Sequence, residues 1–375
     1  MIAFNIPHLT GKEQEYVRAV VERNKLSGNG EFTKRCQDLL QERYGFPKVL
    51  LTTSCTDALE MCGLLLNIEP GDEVIMPSFT FVSTANAFVL RGARIVFVDS
   101  RPDHPGMDEA LIEQLITERT KAIVVVHYAG VACDMDVVMD IAQRHGLFVV
   151  EDAAQAIDSH YKGRPLGGIG HLGAFSFHET KNIQCGEGGA LVVNDDAFTS
   201  RAEIIWEKGT NRAAFWRGEV DKYNWVDLGS SFLPSEINAA YLFAQLRELD
   251  AIQYRRQKIW ESYFTGLQGL FDRGDIAAPI VPPYATCNGH LFHLVCASLD
   301  QRDRLISHLK ASGVSAVFHY QSLHSSPFYR AKHDGRALPM SDSYSERLLR
   351  LPLFLSMTEA QMGHVIRSVN GFFGT

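Results

Sequence analysis

No disulfide framework can be drawn from this sequence. Its seven cysteines, Cys36, Cys55, Cys62, Cys133, Cys185, Cys287 and Cys296, are odd in number, scattered and free of CxxC spacing. That pattern argues for reduced thiols, hence a cytoplasmic location, and against a zinc site. No segment runs to about eighteen apolar residues, so no membrane span is expected. The first residues, MIAFNIPHLTGKEQEYV, show no basic segment followed by an apolar one, so no secretion signal is expected either. Long runs of lysine or arginine are also missing. With 36 basic against 44 acidic side chains the net charge is −8, which excludes the electrostatic footprint of a nucleic-acid binder. There is no HExxH, and His319 with His324 is spaced for a loop or strand more than for a ligand pair, so no metal is expected. No strand is followed by GxGxxG opening a helix; GEGG at 186–189 leads into a strand instead, which disfavours a nicotinamide-dependent oxidoreductase. Internal repeats, low-complexity tracts and proline-rich linkers are absent, so any lobes should pack firmly.

What is present is apolar material for one large core and a smaller one: 46% of the 375 residues are hydrophobic and 21% charged. Short apolar runs predict strands at DEVIMP (72–77), ARIVFVD (93–99), KAIVVVH (121–127), LFVVED (147–152), GAFSF (173–177) and GALVVND (189–195). Between the first four lie STANAFVLRG, DEALIEQLIT and MDVVMDIAQRHG, with DALEMCGLLL leading into the first; apolar residues at three-to-four spacing read these as helices. Such alternation gives an α/β sheet with parallel strands, and the last two strands, joined only by a loop, make it mixed. From Ser235 as N-cap the sequence reads as one long helical stretch, followed by strand-like HLFHLVCAS and SAVFHY around a helix at RDRLISHLK. More helix is expected near 343–350 and 358–371. The expected division is 1–234, an N-terminal segment with a large α/β domain, and 235–375, a linking helix with a small α+β domain.

In open α/β sheets ligands sit beyond the carboxyl ends of the strands, and four such ends carry candidate chemistry. Thr53, Ser54, Cys55 and Thr56 precede a helix and offer an anion seat for a phosphate monoester, although an ordinary helix cap has the same appearance. Asp152 ends a strand, with Gln155 close behind; its carboxylate would suit a protonated pyridine nitrogen or, more simply, a turn. Lys181 lies between an apolar strand and a glycine-rich turn, where partial desolvation favours a neutral, nucleophilic amine; Ser176 sits five residues earlier. Phe79 and Phe81 follow a strand end, where a ring could stack on a flat cofactor or fill the core. Farther along, Lys208, Arg212 and Arg217 beside Phe215 and Trp216 could clamp a diphosphate and stack on a base, or form a surface loop.

The segments TTSCTDALEM, GDEVIMPSFTFVSTANAFVLRGARIVFVD, VHYAGVACDMD, FVVEDAAQA, GAFSFHETKN and GEGGALVVND, followed by EIIWEKGTNRAAFWRGEVDKYNWVDLGSS and RLLRLPLF, closely resemble the sugar aminotransferases of the DegT/DnrJ/EryC1/StrS family. The resemblance implies fold type I, aspartate aminotransferase-like, with a large mixed seven-stranded sheet domain that binds pyridoxal phosphate. It implies transamination of a nucleotide-linked keto sugar, dTDP-4-keto-6-deoxyglucose, by glutamate, with pyridoxamine phosphate as the aminated cofactor. Lys181 would hold pyridoxal phosphate as a Schiff base, Asp152 would pair with the ring nitrogen, and Gln155 would approach the phenolic oxygen. Phe81 would lie on the ring face, while Ser54, the Cys55 N–H, Thr56 and Ser176 would contact the phosphate. Lys208, Arg212, Arg217, Tyr223, His319, Tyr320 and His324 are the candidate substrate contacts. Such enzymes are typically homodimers with the active site at the interface. Several relatives bring an asparagine from the partner subunit to the phosphate where this chain has Leu233; Ser230 or Ser231 would substitute. A related deoxysugar dehydratase carries histidine at the lysine position, which Lys181 disfavours. A non-catalytic pyridoxal-phosphate-binding regulator would leave the joint presence of Lys181 and Asp152 unexplained.

Overall fold

The computed structural model describes residues 1–374. Two helices open the chain, α1 (Glu13–Glu22) and α2 (Glu31–Tyr44). A βα alternation follows: β1 (Lys48–Thr52), α3 (Cys55–Leu65), β2 (Glu73–Pro77), α4 (Val82–Val89), β3 (Arg94–Val98), β4 (Thr120–Val126), α5 (Met135–His145) and β5 (Phe148–Asp152). A small hairpin, β6 (His160–Tyr161) with β7 (Arg164–Pro165), precedes β8 (Leu172–Ser176) and β9 (Gly189–Val193). Next come α6 (Thr199–Trp206) and the short α7 (Arg212–Trp216). Seven strands form one sheet in the order β1-β9-β8-β5-β4-β2-β3. Only β9 runs antiparallel to its neighbours β1 and β8; it reaches β8 through the loop 177–188 with no crossover helix, so the chain must reverse there.

The strands read as continuous apolar runs because both sheet faces are covered. Alternate residues go to opposite sides: Val49, Leu51, Ile75, Ile123 and Val125 face a core shared with α1, α2 and α5, and Leu50, Val74, Met76, Ala122 and Val124 face one shared with α3, α4 and α6. Because β1, β2, β4, β5 and β8 run the same way, their carboxyl ends meet along one edge. That edge receives the residues that follow each strand.

Ser235 caps α8 (Glu236–Arg247) by accepting from the Asn238 N–H. The expected single long helix is in fact two: α9 (Leu249–Gly266) restarts after Glu248, whose φ of −106° and ψ of 12° leave the helical range. Then come α10 (Gln268–Asp272), β10 (Phe292–Val295), α11 (Leu299–Ala311), β11 (Val317–Phe318), α12 (Pro339–Arg347), β12 (Leu348–Leu351) and α13 (Glu359–Phe372). The strands β10-β12-β11 form an antiparallel sheet. It shares a third core with α9, α11 and α13, in which Tyr263, Phe292, Leu349 and Val365 are fully buried. Ile2 belongs to this core and bridges to Val314, so the start of the chain reaches the connection between α11 and β11.

Two further expectations are corrected. DEALIEQLIT forms two 3-10 turns, at Glu109–Leu111 and Glu113–Leu115. Its Glu109 turns inward, taking hydrogen bonds from Arg101 (3.1 Å) and the Asp134 N–H (2.6 Å), so the segment bends where a regular helix would face Glu109 outward. The helix expected near 343–350 ends at Arg347, and Leu348–Leu351 is a strand, since Leu348, Leu349 and Leu351 pair with β10. Among the described residues no helix is long and apolar enough to cross a membrane.

Candidate active site

A cavity of about 600 Å³ opens at the strand carboxyl ends, between the large sheet and the small one. Each wall follows from local sequence. Ser54 ends the first strand turn and caps α3, its Oγ accepting from the Asp57 N–H at 3.0 Å. The first amides of a helix have no carbonyl one turn back; among the described residues the Cys55 and Thr56 N–H groups have no partner. Both residues line the cavity, as do Ser54 and Ser176. Gly189 is what lets β9 come so close: a Cβ there would lie 2.5 Å from the Cys55 nitrogen. This corner presents hydroxyls and unpaired amides at a helix N-terminus, the chemistry of an anion seat.

Asp152 lies on the cavity floor, 6% exposed. Thr84, one turn into α4, donates to its Oδ2 at 2.7 Å, and the Ala154 N–H to its Oδ1 at 3.2 Å. Burial pushes the Asp152 carboxyl above its usual range, against the pull of Thr84, the Ala154 N–H and Lys181. Behind it the fully buried His127 Nε2 and Glu151 Oε2 are 2.9 Å apart, and Glu151 also accepts from the N–H groups of Gly167, Ile169 and Gly170.

Lys181 stands in the 177–188 loop, which is tied at Phe177–Cys185 and Glu179–Gly186 by backbone hydrogen bonds. Its amine reaches the cavity, and among the described residues its Nζ makes no hydrogen bond or ion pair. Burial lowers its pKa, opposed by Cys55 and Asp152 and reinforced by Arg350. An unpaired amine biased toward its neutral form is suited to nucleophilic and base chemistry.

Gln155 bridges two walls: its Oε1 accepts from the Ala129 N–H (2.7 Å) and its Nε2 donates to the Tyr320 hydroxyl (3.0 Å). The two phenylalanines after β2 separate. Phe79 is buried with Tyr128 and Tyr344, whereas Phe81 is 55% exposed at the cavity mouth, its ring 6.1 Å from that of Tyr320. His319 also lines the cavity, its Nδ1 2.9 Å from the Tyr128 hydroxyl.

Other expected residues lie elsewhere in the single chain. His324 is outside the lining; its Nδ1 sits 2.8 Å from the Ser78 Oγ, and Ser78 also accepts from its backbone N–H, which holds it behind the cavity wall. Lys208, Arg212 and Arg217 line a second hollow of about 580 Å³ with Lys25, Lys34 and Lys48. There Arg217 pairs with Glu203 and Glu219. Tyr223, 52% exposed, lies against Arg212 and Phe215. Ser231 is exposed and bridged to Glu207. Conversely, Phe4, Thr80, Ser83, His290 and Arg350 join the cavity without having been expected, and Thr84 touches Asp152. Thr84 had a signal, standing in the first turn of the helix that opens after the β2 end, where Phe81 is the N-cap. Thr80 and Ser83 follow the same strand end as Phe81; Phe4, His290 and Arg350 had no such signal.

The sequence profile of the DegT/DnrJ/EryC1/StrS aminotransferase family matches residues 7–370. The chain is similar to S. venezuelae DesV, solved in complex with a ketimine intermediate, with 31% identity and a TM-score of 0.90 over 100% of this chain and 99% of that one. The aminotransferase TlmJ of Streptoalloteichus hindustanus is 30% identical, with a TM-score of 0.91 over 100% and 99%. Spr1654 of Streptococcus pneumoniae, in its PMP form, is 26% identical, with a TM-score of 0.91 over 99% of each chain; a PLP form has the same fold. The fold is therefore that of the fold type I aminotransferases, and the cofactor is pyridoxal phosphate. The chain belongs to the DegT/DnrJ/EryC1/StrS aminotransferase family.

Proposed function

We propose that this enzyme transfers the amino group of L-glutamate to dTDP-4-keto-6-deoxyglucose, giving dTDP-4-amino-4,6-dideoxygalactose, an amino sugar for a bacterial surface polysaccharide, and 2-oxoglutarate. The observation that carries the reading is one cavity holding an unpaired Lys181 amine, the Asp152 carboxylate and a vacant-amide helix start at Cys55 and Thr56. That donor set fits pyridoxal phosphate: an aldehyde-accepting amine, a carboxylate for a pyridinium nitrogen, and an anion seat for a phosphate. When bound, the cofactor supplies an electron sink for charge developing at the substrate carbon.

In this reading Lys181 would hold the cofactor through its amine, and the same amine would take and return the proton at the reacting carbon. Asp152, kept in place by Thr84 and the Ala154 N–H, keeps a proton on the ring nitrogen. Phe81 and Gln155, both in the cavity lining, would hold the ring, Phe81 by its face and Gln155 by hydrogen bonding to the phenolic oxygen. Ser54, the Cys55 N–H, Thr56 and Ser176 hold the phosphate. His319 and Tyr320 border the sugar, with His324 supporting the same turn from behind.

Lys208, Arg212, Arg217, Tyr223 and Ser231 would reach the cavity from a second copy of the chain in a homodimer, as contacts to the substrate diphosphate and cofactor phosphate. Support comes from the surface around them: Trp216 is 68% exposed and Trp225 80%, an apolar display that favours a partner over water.

The test is product analysis. Protein supplied with glutamate and dTDP-4-keto-6-deoxyglucose should form a 4-amino sugar whose proton couplings place the amine axially. An equatorial amine would assign the gluco epimer, and turnover only with a 3-keto sugar nucleotide would reject the proposed substrate.

A further inference from the structure

Arg350 occupies the middle strand of the small sheet, opposite His293 on β10 and Val317 on β11. Its neighbours Leu349 and Leu351 are 0% and 1% exposed in the core. Alternation along a strand therefore turns Arg350 to the other face, where it lines the cavity with Lys181. Its guanidinium is a cation without an anion. Among the described residues it makes no hydrogen bond or ion pair, and its Nε is fully buried with no partner. Arg256, also in the cavity wall, differs: its N–H groups donate to the Gly289 and His290 carbonyls at 3.0 and 2.6 Å.

The groups near Arg350 are neutral. Phe4 lies under it, 4.7 Å from ring centroid to guanidinium carbon. Tyr128 and Tyr320 are protonated phenols, since burial raises both. Burial also holds the His290 and His319 imidazoles well below their usual pKa and pushes His293 down to about 3. Of the two acidic residues in the lining, Asp152 is held by Thr84 and the Ala154 N–H, and Glu187 is 71% exposed. Leaving a buried charge uncompensated is costly unless a ligand completes it.

We propose that Arg350 is the seat for the α-carboxylate of the amino donor. The inference rests on the aminotransferase reading above and names the group that would recognise its donor. A planar guanidinium matches a carboxylate with two parallel hydrogen bonds. Position favours carboxylate over diphosphate: an α-carboxylate is one bond from the carbon that reacts beside Lys181, whereas a sugar diphosphate is several bonds from the keto carbon. Arg350 also lies close enough to Lys181 to depress its pKa.

Arg350→Gln and Arg350→Lys in the pyridoxal-phosphate-loaded enzyme test this. With glutamate in single turnovers, Arg350→Gln should raise the half-saturating concentration at least about 30-fold, and Arg350→Lys by less, since charge remains without the fork. Glutarate, which has no amine to transfer, should show the same loss of binding by calorimetry. The acceptor half-reaction, pyridoxamine form plus keto-sugar nucleotide, should change by less than about 3-fold. Borohydride should still fix the cofactor to Lys181 in both variants; loss of that labelling in wild-type protein would instead undo the aminotransferase assignment itself. Unchanged glutamate and glutarate binding in both variants overturns the proposal. So does an equal loss in both half-reactions, or a loss confined to the sugar nucleotide, which would make Arg350 a phosphate contact. Should Arg350→Gln fail to fold, Arg350→Lys decides alone.

Discussion

Asp152 and Lys181 share one cavity, yet among the described residues they form no ion pair with each other. Asp152 is held by Thr84 and the Ala154 N–H, and the Lys181 amine is left free. That separation matters because a direct salt bridge would occupy both groups before a cofactor arrived. Replacing Asp152 with Asn should cut turnover by about 10²-fold or more, by analogy with the loss of a charge-stabilising group; steady-state kinetics on cofactor-saturated protein would check this. Thr84→Val removes a hydrogen bond that lowers the Asp152 pKa, so the carboxyl should protonate at higher pH. The acid limb of the rate profile is then expected to move upward in pH; an unmoved limb would deny Thr84 this role. The cavity positions of Lys181, Asp152 and Phe81 were legible from sequence because each lies at or just past a strand end, where α/β sheets place ligands. Arg350 was not, because RLLRL has no signature separating a helix from a short strand, and its exposure to the cavity is decided by pairing with β10 and β11.

At the scale of elements, the parallel strands could be read directly, since burial on both faces leaves nearly unbroken Val, Ile and Ala runs. The β8–β9 loop that carries Lys181 was also readable, from two strands with no helix between them. The β3–β4 connection was misread because Glu109 points inward to Arg101 and Asp134, which periodicity cannot register. Core strands should be the least tolerant of truncation: Phe97→Ala, at 0% exposure, is expected to cost about 3–5 kcal/mol in urea unfolding. The β4 and β5 ends are joined by the His127–Glu151 couple. Burial pushes the Glu151 carboxyl up, but His127 and the backbone N–H groups outweigh it and leave its pKa below the usual value. A depressed carboxylate stabilises the fold above its unfolded pKa of about 4.3 and loses that contribution as pH falls through the folded value. Glu151→Gln should therefore lower stability at neutral pH and flatten its decline in acid. Equal urea midpoints for wild type and variant at neutral pH would contradict this.

At the scale of the whole molecule, the cavity and the basic hollow at Lys208, Arg212 and Arg217 are separate within one chain. A two-fold dimer could join one chain's cavity to the other's basic loop. If so, Lys181→Ala and Arg212→Ala proteins, each inactive or weak alone, should recover about a quarter of wild-type activity after mixed refolding, because half the dimers are hybrids with one complete site. No recovery would place both residues in the same chain's site. Only the family resemblance suggested such a partner contribution, since nothing in a linear pattern says which copy a loop serves. The covalent attachment of the cofactor proposed for Lys181 underlies each of these roles, and it is open to direct measurement: borohydride reduction of the pyridoxal-phosphate-loaded protein, followed by peptide mass mapping. The expected result is the reduced cofactor's mass on the peptide containing Lys181, absent in Lys181→Ala. Label on a different lysine, or a protein that stays colourless in excess cofactor, would contradict it.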